Sequence, residues 1–209
     1  FQGLPWQTLA RGCSDFEFIR GARITDPKVG RGTDQDNVIL FREENCRDVV
    51  PLTDACQADG SCGNTHKCWE HGDSTIALTT STYSTRTGVV FDSDIEFNNP
   101  NFLFTTVDFP PCVSPNFNQS CVATDIENTT THELGHLVGL EHTCLASPGE
   151  TTACTVDQNG GRAPLCGQVL ANTADPVNKA LSETTMFATA DVDETKKRVP
   201  KADDLAGVT

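Results

Sequence analysis

The sequence predicts an α+β fold held by disulfide bonds, and three observations support this prediction. Residues 75–83 and 87–97 alternate apolar with polar side chains, a period of two that is typical of β-strands. Residues 123–140 place leucines and a valine at helical spacing around several histidines. Ten cysteines in a chain of 209 residues form an even and dense set, which is typical of proteins from an oxidising compartment. We therefore expect helices and strands in a secreted, extracellular protein.

The charge and hydropathy of the chain argue against two classes of partner. The formal net charge is −14 at pH 7, so nucleic acids and anionic membranes would repel the protein. No run of 18 apolar residues occurs, so we expect no membrane span. A signal peptide is also not present, and we expect a secreted form to have been processed.

The first part of the chain is expected to contain one helix end and two short strands. Residues 1–9 could form the end of a helix, with Trp6 as an apolar anchor. The segment Phe16–Ile19 is typical of a short strand, and Val38–Phe41 is typical of a buried strand.

Residues 42–74 contain four cysteines but neither a helical nor a strand period. We therefore expect a surface loop stapled by disulfides. Local spacing favours a Cys56–Cys62 pair here and a Cys112–Cys121 pair further along the chain, although ten cysteines allow many other connectivities.

The two alternating stretches are expected to form adjacent strands joined by a turn at Ser84–Gly88. In the second stretch, Asp92, Asp94 and Glu96 occupy alternate positions and so share one face of the strand. Two interpretations remain open for this face. Its carboxylates could hold calcium, or the face could simply be solvated.

The most informative stretch is His132–His142. His132 and His136 are four residues apart, so on a helix both imidazoles project from one face, with the carboxylate of Glu133 beside them. Gly139 can adopt a backbone conformation that ends the helix and turns the chain, which would return His142 to the same point. Three imidazoles that leave one position open are typical of a catalytic zinc site.

The segment Asn128–Thr143 resembles the signature HExxHxxGxxH of the metzincin zinc metallopeptidases, and among them the secreted bacterial relatives of the matrixins. These proteins carry a Met-turn beneath the metal, and the resemblance identifies Met186 as its methionine. It further implies a zincin-like catalytic domain. The expected architecture is a twisted, mostly parallel sheet with one antiparallel edge strand, a backing active-site helix and a smaller, irregular C-terminal subdomain.

The resemblance also implies the organisation of the chain and its substrate strand. We expect one catalytic domain over residues 1–209, with an upper subdomain at about 1–142 and a lower one at about 143–209. The antiparallel edge strand would bind substrate backbone through its unpaired main-chain groups. Its expected binding residues are Ile76, Ala77, Leu78, Thr79 and Thr80. An edge strand that binds nothing is the alternative.

A second zinc site is a further question that the resemblance raises. His71-Gly72-Asp73 superficially matches a structural zinc motif of the matrixins, and Cys62, His66 and Cys68 lie nearby in sequence. The two later strands, however, contain no histidine. We therefore favour solvated histidines on a disulfide-linked loop and expect one catalytic zinc, with calcium as a further candidate ion.

Residues 143–183 form a long stretch that we expect to be irregular, and residues from Lys201 onward resemble the start of the last helix of the family, with Asp203 or Asp204 at its N-terminus. Two glycosylation sequons begin at Asn118 and Asn128, and the second lies so close to the metal-binding helix that we expect it to be unused.

These features predict a secreted zinc endopeptidase, active as a monomer on protein or peptide substrates, with Glu133 as the general base that activates water. An extracellular binding or adhesion module with a vestigial zinc site is the alternative. A vestigial site usually lacks the glutamate or a ligand, and here none is missing. A zinc hydrolase for a non-peptide bond is a third interpretation.

Overall fold

The computed structural model describes residues 5–9, 17–30, 36–107, 123–150 and 160–208. They fall into two compact units, Arg20–Ile126 and Phe1–Ile19 with Glu127–Thr209. The protein is a mixed α+β structure with a small mixed sheet and three disulfides among the described residues. The expected single catalytic domain, with its subdomain boundary near residue 142, stays a prediction.

The helices and strands of the described residues are short, apart from one helix of 12 residues. The strands are β1 (Ile39–Arg42), β2 (Ala77–Tyr83), β3 (Val90–Asn98), β4 (Phe104–Thr105) and β5 (Thr124–Asp125). The helices are α1 (Pro5–Leu9), α2 (Cys46–Val49), α3 (Cys56–Asp59), α4 (Cys62–His66), α5 (Ile126–Leu137), α6 (Cys166–Ala171), α7 (Pro176–Ser182) and α8 (Ala202–Gly207).

The first unit is built on a three-stranded sheet with the order β1-β3-β2. Strand β3 is central, parallel to β1 and antiparallel to β2. The predicted antiparallel pair at residues 75–83 and 87–97 is therefore confirmed, with a tight turn between its strands in which the amide of Gly88 donates to the carbonyl of Ser84 at 2.8 Å. Strands β4 and β5 form a separate parallel pair.

The predictions for the beginning of the chain were met in part. A strand does form near residues 38–41, but it is buried only in part. Val38 and Arg42 are buried, whereas Ile39 and Phe41 are 46% and 39% exposed. Phe41 instead lies at the margin of an aromatic cluster, where its ring stacks on Phe97 at 4.7 Å. The strand expected at Phe16–Ile19 is wrong for its described part, because residues 17–19 lie in no strand.

The acidic face of β3 is buried, so the interpretation of a solvated strand face is wrong. Asp94 accepts hydrogen bonds from the backbone amides of Gly30 and Val38, both at 3.1 Å. Glu96 pairs with the buried Arg42 at 2.6 Å. These carboxylates fold the preceding chain onto the strand, and calcium binding stays a prediction.

Residues 42–74 are stapled by disulfides, as predicted, and Cys56–Cys62 is one of the pairs. A second bridge joins Cys46 to Cys68, and the four half-cystines pack with Val50 into a small core. Three short helices, α2 to α4, also lie in this segment, where we expected none. The Cys112–Cys121 pair and the Asn118 sequon lie outside the described residues.

The second unit contains α1, all of α5 except its first residue, and the three later helices. The bridge Cys144–Cys166 packs with Val169 and Phe187 at the centre of its core. Two helices, α6 and α7, lie within residues 143–183, so the expectation of a fully irregular segment is wrong. The predicted last helix is confirmed as α8, and the carboxylate of Asp204 accepts from the backbone amide of Lys201 at 2.6 Å.

Among the described residues, no helix combines the length and the apolar character that a membrane crossing requires. Three disulfides are compatible with an extracellular protein. The sequon at Asn128 is buried, which agrees with the expectation that it is unused. Asn128 is only 2% exposed, and its side-chain oxygen accepts a hydrogen bond from the backbone amide of Lys197. A glycan has no room at such a site.

Candidate metal centre

Helix α5 carries the candidate site, and tertiary contacts hold it in place. Its sequence contains three consecutive threonines, which are weak helix formers, so propensity alone would not stabilise it. The indole N–H of the fully buried Trp6 donates to the carbonyl of Thr131 at 2.8 Å. The hydroxyl of Thr131 donates to the carbonyl of Arg198 at 3.3 Å. These two hydrogen bonds fix the helix at Thr131, one residue before His132.

The helix ends as predicted, at a glycine in the left-handed region. Gly139 has φ of 94°, a conformation that side chains with a Cβ rarely adopt. Its amide donates to the carbonyl of His136 at 2.9 Å, and the next amide, of Leu140, donates to the carbonyl of Gly135 at 3.0 Å. These two bonds define a Schellman motif, which reverses the chain direction within two residues.

The reversal brings three histidines to one point. The Nε2 atom of His142 lies 3.2 Å from Nε2 of His132 and 3.1 Å from Nε2 of His136. Two nitrogens bound at about 2.0–2.1 Å to one tetrahedral ion would be about 3.3 Å apart. The described residues thus form a three-histidine cluster that could hold a metal ion.

Backbone carbonyls set the tautomers of two of these rings. Nδ1 of His132 lies 2.7 Å from the carbonyl oxygen of Thr185, and Nδ1 of His136 lies 2.8 Å from that of Leu140. A carbonyl can only accept, so each Nδ1 carries the proton and each Nε2 keeps a lone pair. The outer hydrogen bonds thereby point the lone pairs of both rings to the shared position.

The electrostatic environment keeps the rings of His132 and His142 neutral before a metal binds. Burial, with smaller effects from the charges of His136 and Lys197, holds the pKa of His132 well below its usual range. The same causes lower the pKa of His142 to about 3. Near neutral pH these two rings are therefore unprotonated, which is the form that binds metal ions.

Met186 lies directly beneath the helix, against Gly135. A Cβ built on Gly135 would overlap the sulfur of Met186 and would lie 3.0 Å from Cζ2 of Trp6. The carbonyl of Met186 also accepts from the amide of Thr143 at 3.0 Å, next to the third histidine. Met186 thus contacts the helix at Gly135, and its carbonyl is hydrogen-bonded to the residue after His142. Its identification as the methionine of a Met-turn stays a prediction.

We expect Gly135→Ala to lower the free energy of unfolding by about 1–3 kcal/mol, because the new methyl group overpacks the space between Met186 and Trp6. Urea denaturation of the metal-free protein measures this loss. Gly167→Ala on α6 is the matched control, since its Cβ would meet nothing within 4 Å. The control should be neutral or slightly stabilising. Equal stability of the two variants would contradict the packing that we describe.

The remaining predicted site residues occupy two different places. Glu133 is on α5, next to His132, and is 5% exposed. Ala77–Thr80 belong to β2 in the other unit, and Ile76 immediately precedes that strand. Among the described residues β2 has a neighbouring strand on one side only, so it is an edge strand, as predicted. Its role in binding substrate stays a prediction.

A second group of close ligand atoms consists of Asp54, Cys56 and His66. It is a poor metal site, because the sulfur of Cys56 is bonded to Cys62 and offers no thiolate. Nε2 of His66 contacts the carboxylate of Asp54 at 3.1 Å instead. Nε2 of His71 lies 3.3 Å from the carboxylate of Glu96. The expectation that these two histidines are solvated is therefore met only in part, because both are half-buried and contact carboxylates.

Two residues at the centre were missed by the sequence analysis. Thr185, which orients His132, precedes the predicted methionine, but a backbone acceptor leaves no signature in the sequence. Lys197 lies 11 positions after Met186 and is buried. Nothing in its sequence context distinguishes it from the neighbouring Lys196.

Comparison of the chain with known protein families, curated proteins and solved structures gave no match.

Proposed function

We propose that this protein is a secreted zinc endopeptidase of the metzincin type. The observation that carries the proposal is the convergence of three imidazole Nε2 atoms at the end of one helix, with the carboxylate of Glu133 in the intervening turn. The likeness of residues 128–143 to the metzincin signature and the position of Met186 under Gly135 support the same conclusion.

The donor set favours zinc over the other common ions. Three neutral imidazoles are suitable ligands for zinc, whereas calcium and magnesium prefer six or more oxygen ligands. The Nε2 separations of 3.1 and 3.2 Å fit a tetrahedral ion. Three protein ligands also leave the fourth position for water, which distinguishes a catalytic from a structural zinc site.

When zinc is bound, it supplies a Lewis acid that lowers the pKa of water and polarises the scissile carbonyl. Glu133 then acts as the general base, accepting a proton on its carboxylate from the attacking water. The same carboxylate delivers that proton to the amine that leaves. The carbonyls of Thr185 and Leu140 hold His132 and His136 in the required tautomer throughout.

Further features of the chain are consistent with a peptidase outside the cell. Each unit has a disulfide within it, and such bonds form and persist in an oxidising environment. The outer edge of β2 offers main-chain groups with which an extended peptide could pair. We propose protein or peptide substrates on this basis, bound by a monomer.

Removal of the metal tests the proposal. We expect 1,10-phenanthroline treatment to reduce casein or gelatin cleavage to below about 1% of the untreated rate, because the activation of water is lost. One equivalent of zinc per chain should restore it. The isomer 1,7-phenanthroline, whose two nitrogens cannot chelate one ion, serves as the control and should leave the rate unchanged. Full cleavage by a protein shown by mass spectrometry to be free of zinc would refute the proposal.

A further inference from the structure

Lys197 is a buried lysine in the segment that follows Met186. Its side chain is 3% exposed. The ammonium donates to the carbonyl of Phe187 at 2.8 Å and to the carbonyl of Thr189 at 2.6 Å, and its nitrogen lies 3.4 Å from a carboxylate oxygen of Glu194. The ammonium therefore contacts three residues, Phe187, Thr189 and Glu194, of the segment between Met186 and Lys197.

A buried charge must be compensated by hydrogen bonds and an opposite charge, and the groups that compensate Lys197 indicate its structural role. An ammonium removed from water is costly unless hydrogen bonds and an opposite charge replace its hydration. Here burial lowers the pKa of Lys197, while Glu194 acts in the opposite direction. A buried apolar side chain would avoid that cost, but it could not bind the carbonyls of Phe187 and Thr189. The lysine thus specifies the path of the loop.

That path includes the acceptor of the first metal ligand. The carbonyl of Thr185, two residues before Phe187, accepts from Nδ1 of His132 at 2.7 Å. On the other side, the backbone amide of Lys197 donates to the side-chain oxygen of Asn128 at 2.7 Å, and Asn128 lies one turn before His132 on α5. Lys197 consequently connects both supports of His132, the helix and the loop that holds its ring.

We infer that Lys197 is a positioning residue for the metal centre, whose ammonium holds the loop 185–189 so that the carbonyl of Thr185 orients His132. Lys197 acts on the centre through the backbone of this loop. Its effect reaches one ligand, His132, by the single hydrogen bond between Nδ1 and the carbonyl of Thr185. This inference rests on the proposed zinc site and extends it beyond the three ligands and Glu133.

Lys197→Met tests the inference, with Lys196→Met as a matched control. Both lysines pair with Glu194, Lys196 at 3.1 Å, but Lys196 is a quarter exposed and, in the described contacts, does not bind the loop carbonyls. The two variants therefore lose the same charge beside the same partner. We expect zinc to dissociate from Lys197→Met about 10-fold faster than from the wild type. This is the low end of the range for losing the hydrogen-bond partner of a ligand, because Lys197 acts on that partner, the carbonyl of Thr185, only through the loop. Lys196→Met should stay within about 2-fold.

A second readout separates ligand orientation from general loss of stability. At saturating Co²⁺, Lys197→Met should show a visible absorption spectrum that differs from that of the wild type, whereas the Lys196→Met spectrum should be unchanged, because these bands report coordination geometry. An unchanged spectrum and dissociation rate in Lys197→Met would overturn the inference. Equal changes in both variants would also overturn it, since they would indicate a charge effect without positioning.

If Lys197→Met does not fold, Glu194→Gln replaces it, because this change removes the anion that compensates the ammonium. We expect faster zinc dissociation there too, and a wild-type rate would overturn the inference. Both readouts need bound metal but no peptide substrate. A wild-type protein that binds zinc and cleaves no peptide would therefore refute the proposed function while leaving this test valid.

Discussion

Glu133→Gln is expected to reduce peptide cleavage by about 10²- to 10⁴-fold, the usual contribution of a positioned general base. Glutamine has nearly the same shape as glutamate, but its amide cannot accept and return a proton near neutral pH. The three histidines are untouched, so zinc should still bind with one ion per chain. Initial rates on a quenched fluorescent peptide, together with zinc content by mass spectrometry, measure both parts of the prediction.

The same substitution six residues earlier in the chain provides the control. Glu127→Gln changes the first turn of the same helix, where the side chain is 55% exposed and lies 3.7 Å from Arg198. Since exposed ion pairs contribute little, this variant should retain the wild-type rate within about 2-fold. Full activity in Glu133→Gln would sink the proposed mechanism. Loss of zinc from that variant would instead show that Glu133 supports the ligands.

His142→Ala is expected to weaken zinc binding by about 100-fold or more. Structural zinc sites with four ligands contribute about 10–16 kcal/mol in total, so one ligand corresponds to about 3 kcal/mol, or about two orders of magnitude. His142 approaches both other rings to within 3.2 Å, so its loss opens one side of the cluster. Competition against a chromophoric zinc chelator measures the change in Kd.

His66→Ala is the control for this prediction, because it removes an imidazole that contacts Asp54 and belongs to the disulfide-linked segment. It should bind zinc as the wild type does. Wild-type zinc affinity in His142→Ala would exclude a three-histidine site and, with it, the proposed role of the Gly139 turn.

The helix and its end were predictable because their causes are local. The spacing of His132 and His136 follows from helical geometry, and Gly139 is the residue type that a Schellman motif requires. The strands β2 and β3 were predictable for the same reason, since a period of two is visible within one segment. Cys56–Cys62 belongs with these features, because a separation of six residues limits the alternatives.

The acidic face of β3 shows where this reasoning failed. Alternate carboxylates usually face water, and from the strand alone a solvated face was one of two reasonable interpretations. Asp94 and Glu96 are buried because Val38 and Arg42, more than 50 residues earlier, supply their hydrogen-bond donors. The residue pattern of the strand alone cannot predict hydrogen-bond donors that lie more than 50 residues away in the sequence.

For the candidate metal centre, the order of residues from His132 to His142 was enough to predict which imidazoles converge, because a helix and one glycine turn determine their directions within 11 residues. The supports of those imidazoles depended on the tertiary structure. Thr185 reaches His132 across 53 positions, Trp6 reaches Thr131 across 125, and Lys197 reaches Asn128 across 69. Such contacts form only when distant segments pack together, and backbone acceptors or a single buried lysine carry no periodic signal that could reveal them beforehand.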